Sequence, residues 1–327
     1  MTSISSPCFL CLHAHAGCMH TVPEMMQGSR KPFTYAECSK CGSLQLVNPP
    51  EDYTPYYTGS YYSQSAAVEP LFQPHWKGRL KGLRDRWALT GRGLWPALAA
   101  AVLPGADTAL YGYRRLGLQP HHRLLDVGCG NGKLTYSLYN AGFTGIMGIE
   151  PFLPQPIRYA NGLHIRNEHL HQHTDSGYEA ILFNHSFEHL PNPKAALQCV
   201  GGLLAPQGKL LLRLPTVSSW AWQHYGVHWV QLDAPRHMCI PSLKGLQALA
   251  AKHGFVVENI RYEGTSLQLI GSEQYRMDIP LYGDKRSWFE GNTQLFTPAQ
   301  IKAFEKQAKK LNEQNQGDAI AVVLKMA

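Results

Sequence analysis

No long hydrophobic run occurs in this chain. Its most apolar stretch, Leu94 to Leu103, falls well short of the ~20 residues that a membrane-crossing helix requires. Met1 to Leu12 has neither the basic start nor the apolar core of a secretory leader, so a cytoplasmic location is expected. Charge is sparse as well: Asp, Glu, Lys and Arg make up 16% of the residues, against 44% hydrophobic, which excludes a self-repelling disordered chain. Internal repeats and low-complexity tracts are missing, which excludes solenoids and flexible arrays. Beyond residue 41 cysteine is rare, so a disulfide framework is not expected. What remains is a folded protein of 327 residues, with material for one large domain or two smaller ones. The net charge of +7 is partly gathered at Lys77, Arg79, Lys81, Arg84, Arg86 and Arg92. With no RNA-binding signature beside it, that cluster reads as a solvated helix face before it reads as a nucleic-acid patch.

Arg123-Leu-Leu-Asp-Val-Gly-Cys-Gly-Asn-Gly-Lys-Leu134 organises the rest. Leu124, Leu125 and Val127 form a short apolar run bounded by glycine, which predicts a buried strand. Gly128, Gly130 and Gly132 then alternate, permitting a tight turn and close approach of a ligand to the backbone around Cys129. Lys133 to Asn140 predicts a helix whose N-terminal N–H groups face that loop. A dinucleotide site wants G-x-G-x-x-G, but Lys133 stands where the third glycine should be. Asp126 would repel a pyrophosphate and suits an ammonium group instead. A second apolar run, Ile146 to Ile149, ends in Glu150, whose carboxylate is placed to accept hydrogen bonds from both hydroxyls of a ribose. A nucleoside bearing an amino-acid tail and no phosphate satisfies both carboxylates, and S-adenosylmethionine is such a molecule.

Leu-Asp-Val-Gly-Cys-Gly-Asn-Gly followed by Gly-Ile-Glu150 resembles the first two motifs of class I S-adenosylmethionine-dependent methyltransferases. The resemblance implies an α/β, Rossmann-like doubly wound sheet. It implies cofactor contacts from Asp126, Gly128, Cys129, Gly130, Gly132 and Glu150. Past a weak third strand at Leu163 to Ile165, the family often carries a polar residue that meets the adenine; Glu168 and His169 both fit that register. Tyr178 to Phe183 predicts strand four, and the following Asn184-His-Ser-Phe-Glu-His-Leu190 is similar to the family segment that faces the reacting methyl. Asn184 is not followed by Pro-Pro, which sets aside the adenine and glutamine amide methylation motif.

Near the start stand Cys8-x-x-Cys11 and Cys38-x-x-Cys41-Gly. Two such pairs in a cytosolic chain predict a tetrahedral, structural zinc ribbon rather than disulfides. The gap between them is longer than usual, and His13, His15, Cys18 and His20 lie within it as alternative ligands. A proline- and tyrosine-rich connector follows, through Tyr53-Thr-Pro-Tyr-Tyr to Tyr62. The ribbon with Asn-Pro-Pro50 and paired tyrosines resembles a bacterial methyltransferase subgroup frequent in sugar, polysaccharide and secondary-metabolite pathways. The expected division is a ribbon and connector over 1–62, a helical cap over 63–118 and the methyltransferase domain over 119–327.

Methyl transfer to a hydroxyl or activated carbon needs an in-line nucleophile and a proton acceptor with a pKa near neutrality, which points to histidine. His237, His189 and His185 are the expected catalytic residues, with His237 foremost because Asp233 and Arg236 flank it. Arg236 is expected to bind an anionic substrate group, Asp233 to orient the imidazole, and Trp229, with Trp220 and Trp222, to stack on a sugar or aromatic ring. The expected activity is methylation of a small molecule, a sugar or related metabolite. The alternatives are an RNA or protein methyltransferase docking through the ribbon, and a non-catalytic methyltransferase-like scaffold.

Overall fold

The computed structural model describes residues 7–14, 17–57, 68–72, 75–103, 105 and 108–327. His15 and the connector's Tyr61 and Tyr62 lie outside these residues. Strands β1 (Met19–Pro23), β2 (Pro32–Glu37) and β3 (Leu44–Leu46) open the chain. Helices α1 (His75–Thr90), α2 (Leu94–Val102) and α3 (Thr108–Gly112) follow, in the region expected to be helical. The alternating part comprises β4 (Leu124–Val127), α4 (Lys133–Asn140), β5 (Ile146–Ile149), β6 (Ile157–Arg158), β7 (His164–Arg166), β8 (Tyr178–Asn184), α5 (Pro193–Leu203) and β9 (Leu204–Pro215). It continues through α6 (Trp220–Tyr225), β10 (Cys239–Ile240), α7 (Leu243–Lys252), β11 (Phe255–Tyr262), α8 (Leu267–Arg276), α9 (Pro298–Glu313) and β12 (Ala319–Met326).

The large sheet has the order β11-β12-β9-β8-β4-β5-β7-β6. Strands β9, β8, β4, β5 and β7 run parallel, while β12 lies antiparallel between β9 and β11. Successive side chains feed opposite faces: Leu125, Val127, Ile181 and Phe183 join one core, and Leu124, Ala180 and Leu182 the other. Burial on both faces explains why the central strands read as continuous apolar runs. Their C-terminal ends, with β4 and β8 at the centre, share one edge, where ligands bind in this topology.

The helix boundaries have local causes. Asn192 Oδ1 accepts a hydrogen bond from the Ala195 N–H at 3.0 Å and opens α5, while Ser242 Oγ accepts one from the Gly245 N–H at 2.9 Å and opens α7. A small second sheet has the order β1-β2-β3-β10, so its fourth strand comes from the insertion after β9. Buried polar bonds reinforce that pairing: the Tyr35 hydroxyl donates to the His237 carbonyl at 2.7 Å, and Ser242 N–H donates to Ser43 Oγ at 2.9 Å.

Candidate active site

The loop after β4 forms as its glycines require. Gly128, Gly130 and Gly132 all adopt left-handed backbone, with φ of 70°, 56° and 74°. A Cβ on Gly128 would lie 2.6 Å from the Ser186 Cβ, so only glycine fits there. Beside this loop opens a cavity of about 890 Å³. Asp126, Gly128, Cys129, Gly130, Glu150, His169, Asn184, His185 and His189 all line it. Gly132 does not line it; this residue caps α4, and its α-carbon faces Ile165.

Asp126 is 1% exposed and accepts hydrogen bonds from Thr135 Oγ1 at 2.7 Å and Asn184 Nδ2 at 3.1 Å. Burial pushes its carboxyl up to about 6, against the opposing pull of those two donors. The Tyr113 hydroxyl donates to Asn184 Oδ1, which fixes the amide so that its NH₂ faces Asp126. Glu150 accepts from the N–H groups of Gly130, at 3.0 Å, and Phe152, at 3.1 Å, and burial raises its carboxyl as well. Phe152 is 71% exposed, with Tyr57 stacked over it at 6.3 Å and His169 edge-on at 6.4 Å, giving the cavity an aromatic wall. Glu168 is held by His173 Nδ1 at 2.5 Å, and both Glu168 and His169 reach the cavity.

Thr135, Tyr113 and Phe152 were not singled out from the sequence, and Tyr57 only as one of the connector's crowded tyrosines. Phe152 and Thr135 had a signal, standing two residues past Glu150 and in the first turn of the helix after the glycine loop; Tyr113 and Tyr57 are brought in from distant elements. From the basic cluster, Lys81 and Arg84 line the cavity, so this part of α1 faces inward. Lys81 Nζ donates to the Leu71 carbonyl at 2.6 Å, and Arg84 pairs with Asp85 at 2.8 Å.

A smaller cavity of about 360 Å³ adjoins the first, and His185 and His189 line both. Its walls include Arg213, Asp233, His237, Glu263 and Tyr282. His185 has left-handed backbone, φ 52°, uncommon for a side-chain-bearing residue, and its Nδ1 lies 3.5 Å from Glu188 Oε1. His237 Nδ1 donates to the Gln231 carbonyl at 2.7 Å, so a main-chain group orients the ring, while Asp233 Oδ2 lies 3.8 Å from Nε2. Burial and the neighbouring His237 lower His189 to about 4, which keeps its ring neutral. Burial would raise Glu188, but His185, His237 and His189 more than offset it and hold this carboxyl below its ordinary value.

Two expected substrate contacts are corrected. Arg236 is 0% exposed and donates to Asp233 Oδ1, at 2.9 and 2.5 Å, to Glu24 Oε1 at 3.2 Å and to the Tyr56 carbonyl at 3.0 Å. Its charge is spent inside the protein, tying the insertion to the N-terminal sheet. Trp229 is also 0% exposed, and its indole N–H donates to Asp318 at 3.0 Å. Trp220 and Trp222 pack against the same core, and none of the three tryptophans lines either cavity. Trp229, so placed, joins two layers of the fold and leaves no free face for a ring, while Trp220 and Trp222 are half-buried.

At the N-terminal end, the sulfur atoms of Cys8, Cys11, Cys38 and Cys41 lie within 4.8 Å of one another. Cys8 and Cys41 approach to 3.7 Å, Cys11 and Cys38 to 3.6 Å. Gly42, at φ 75°, makes the turn that returns its N–H to the Cys38 carbonyl at 2.7 Å. Cys18 is exposed, and His20 bonds to Glu37 at 2.9 Å.

Comparison with known proteins agrees with this geometry. Residues 107–260 match the family model described as a methyltransferase domain. A ubiquinone biosynthesis O-methyltransferase of Aeromonas salmonicida is 32% identical over 100 residues, covering 28% of this chain and 42% of the relative. The enzyme of the same name from Cronobacter sakazakii is 28% identical over 126 residues, covering 35% and 51%. The chain thus spans about half, or less, of the length of these curated relatives. Among solved structures, an S-adenosylmethionine-dependent methyltransferase from Mesorhizobium loti aligns with TM-score 0.42 and 14% identity over 68% of this chain and 98% of that one. Residues 107–260 thus match a methyltransferase domain, and the strand order is that of the class I Rossmann-like α/β fold.

Proposed function

We propose that this protein transfers a methyl group from S-adenosylmethionine to a hydroxyl-bearing small molecule, a sugar or related metabolite. The observation that carries the reading is the pair of buried carboxylates, Asp126 and Glu150, at the tips of adjacent parallel strands in the larger cavity. The residues present fit the cofactor. Asp126, desolvated and raised toward neutrality, gains from an ammonium partner. Glu150 suits ribose hydroxyls, and the glycine loop leaves room for the chain between them. When bound, the cofactor supplies an electrophilic methyl group. Tyr113 and Thr135 hold Asp126 and Asn184 in place, and the wall of Phe152 and Tyr57 offers an adenine-sized ring an aromatic surface to pack on.

The acceptor is assigned to the smaller cavity, because that cavity shares His185 and His189 with the larger one. Histidine at this junction takes the acceptor's proton, with His237 and His185 as the proposed bases; His189, lowered to about 4, is too weakly basic for that role and lines the junction instead. The names of the curated relatives support a small hydroxylated acceptor.

The four-cysteine cluster is proposed to hold one structural zinc. Tetrahedral zinc with Zn–S bonds of ~2.3 Å needs sulfurs about 3.8 Å apart, close to the 3.6 and 3.7 Å found for two of the pairs. Four thiolates leave no coordination position for water, which makes the role structural.

Calorimetry with S-adenosylmethionine tests the core of the reading. Wild-type protein should bind it, and Gly128→Val should not, while keeping its circular dichroism spectrum. Undiminished binding by the variant, or none by the wild type, would sink the assignment.

A further inference from the structure

Under the junction of the two cavities, three side chains from separate segments converge. Glu188 and His189 lie in the short helical turn after β8, and His237 lies in the insertion after β9. Each offers one donor atom, and these atoms are within 4.8 Å of one another. Both imidazoles are locked in the same tautomer. His237 Nδ1 faces the Gln231 carbonyl at 2.7 Å, and His189 Nδ1 faces the Arg236 carbonyl at 2.9 Å. A carbonyl oxygen only accepts, so each neutral ring carries its proton on Nδ1 and a lone pair on Nε2.

His237 Nε2 looks at two carboxylates, Glu188 Oε1 at 3.9 Å and Asp233 Oδ2 at 3.8 Å. Glu188 is 1% exposed, and neither of its oxygens has a hydrogen-bond partner among the described residues; the nearest donor, His185 Nδ1, stands off at 3.5 Å from Oε1. An ionised carboxylate buried without donors is costly, and lone pairs turned toward it add repulsion. A cation at their meeting point removes both penalties.

We propose that Glu188, His189 and His237 bind one divalent first-row transition cation, with Asp233 Oδ2 beside it. Two imidazoles and one carboxylate suit zinc, ferrous iron or manganese and leave coordination positions open. The carbonyls of Gln231 and Arg236 behind the rings do what such groups do for metal-bound histidines, fixing tautomer and direction. With bonds of ~2.1 Å, neighbouring donors sit roughly 3.0–3.4 Å apart, so the side chains close by about 1 Å on binding. Asp233 and His237 line the smaller cavity and His189 lines both, so the open positions face the acceptor.

The catalytic use of this site rests on the methyl-transfer reading, whereas the site itself does not. An acceptor hydroxyl ligated to the cation becomes more acidic. With His189 and His237 engaged as ligands, its proton passes to His185, which lines both cavities. The acceptor class is then a small molecule that coordinates through a hydroxyl oxygen.

Manganese titration followed by electron paramagnetic resonance tests the site in the full-length, zinc-loaded protein, because manganese competes poorly for thiolates. One manganese should bind per chain, and pulsed spectra should show coupling to imidazole nitrogen. Glu188→Gln and His237→Gln should each weaken binding at least about tenfold, since losing even a group behind a ligand costs that much. Manganese left free at millimolar protein, bound with water and oxygen ligands alone, or held equally well by the variants would overturn the proposal. Thermal melting of the variants separates loss of a ligand from loss of the fold. Calorimetry with S-adenosylmethionine on the same samples separates the two readings: manganese bound without the cofactor would refute methyl transfer alone.

Discussion

Replacing Arg236 by alanine should destabilise the protein by about 3–4 kcal/mol, because it leaves a buried carboxylate without its partner. The size follows from which acceptors are orphaned. Glu24 is also 0% exposed, but it keeps three donors besides the arginine: the Gln27 N–H at 2.8 Å, and the Ser29 N–H and hydroxyl at 2.9 Å. Asp233 loses both of its arginine hydrogen bonds, at 2.9 and 2.5 Å, and the Tyr56 carbonyl loses one at 3.0 Å. Most of the cost therefore falls on Asp233, toward the lower part of the usual range for breaking a buried pair. For 327 residues unfolding as one unit, the melting entropy is about 0.7 kcal/mol/K, which converts this loss to a fall in Tm of roughly 4–6 °C. Differential scanning calorimetry reads the shift directly. Steady-state kinetics on the folded fraction should show KM for the acceptor raised far less than loss of a direct charge contact would raise it, since the guanidinium is 0% exposed and acts only through Asp233. A variant with the wild-type Tm and a strongly raised KM would refute the reasoning and restore Arg236 as a substrate ligand. Replacing Arg236, Asp233 and Glu24 together by Met, Asn and Gln should recover much of the stability, because no charge is then stranded.

Cofactor affinity should depend on pH through Asp126, whose carboxyl burial raises to about 6. Protonation below that value removes the anion, so affinity at pH 5 should be about tenfold lower than at pH 7; calorimetry across this range should find Asp126→Asn weaker at pH 7 and nearly flat. Burial likewise pushes Asp318 up to about 7, against the Trp229 N–H. Its folded-state pKa exceeds the unfolded value, so its contribution is present at low pH and lost as pH rises from about 4 through 7. Asp318→Asn should match the wild type near pH 4 and melt higher at pH 8; equal melts at both would contradict this. The cysteine cluster should release zinc on treatment with a mercurial, with a lower Tm for the whole chain, because Cys8, Cys38 and Cys41 share a buried cluster with the large sheet. Zinc-free protein with an unchanged Tm would remove the structural role.

The sequence by itself determined the elements whose signals are local. Leu124 to Val127 was readable as a buried strand because its apolar run is short and ends in glycine, and α4 runs from Lys133 to Asn140 as the pattern indicated. Asp126 and Glu150 were legible for a similar reason: one stands next to the end of an apolar strand and the other just past the end of its neighbour, so strand pairing alone carries both to one edge. The four cysteines announced their cluster by spacing, and they gather as expected without Cys18 or His20.

Only the tertiary structure decided the rest, because it depended on partners far along the chain. Arg236 and His237 are adjacent in sequence and chemically alike in promise. The chain folds one inward against Glu24, 212 residues away, and turns the other to a cavity. Trp229 met Asp318 and became core, and β10 completed its sheet by pairing with β3, nearly 200 residues earlier. Glu188 was visible as part of a Glu-His pair, yet its burial without a donor appears only once the insertion after β9 closes over it. Periodicity reports which face of an element is buried, whereas the identity of the group it meets is set by long-range closure of the chain.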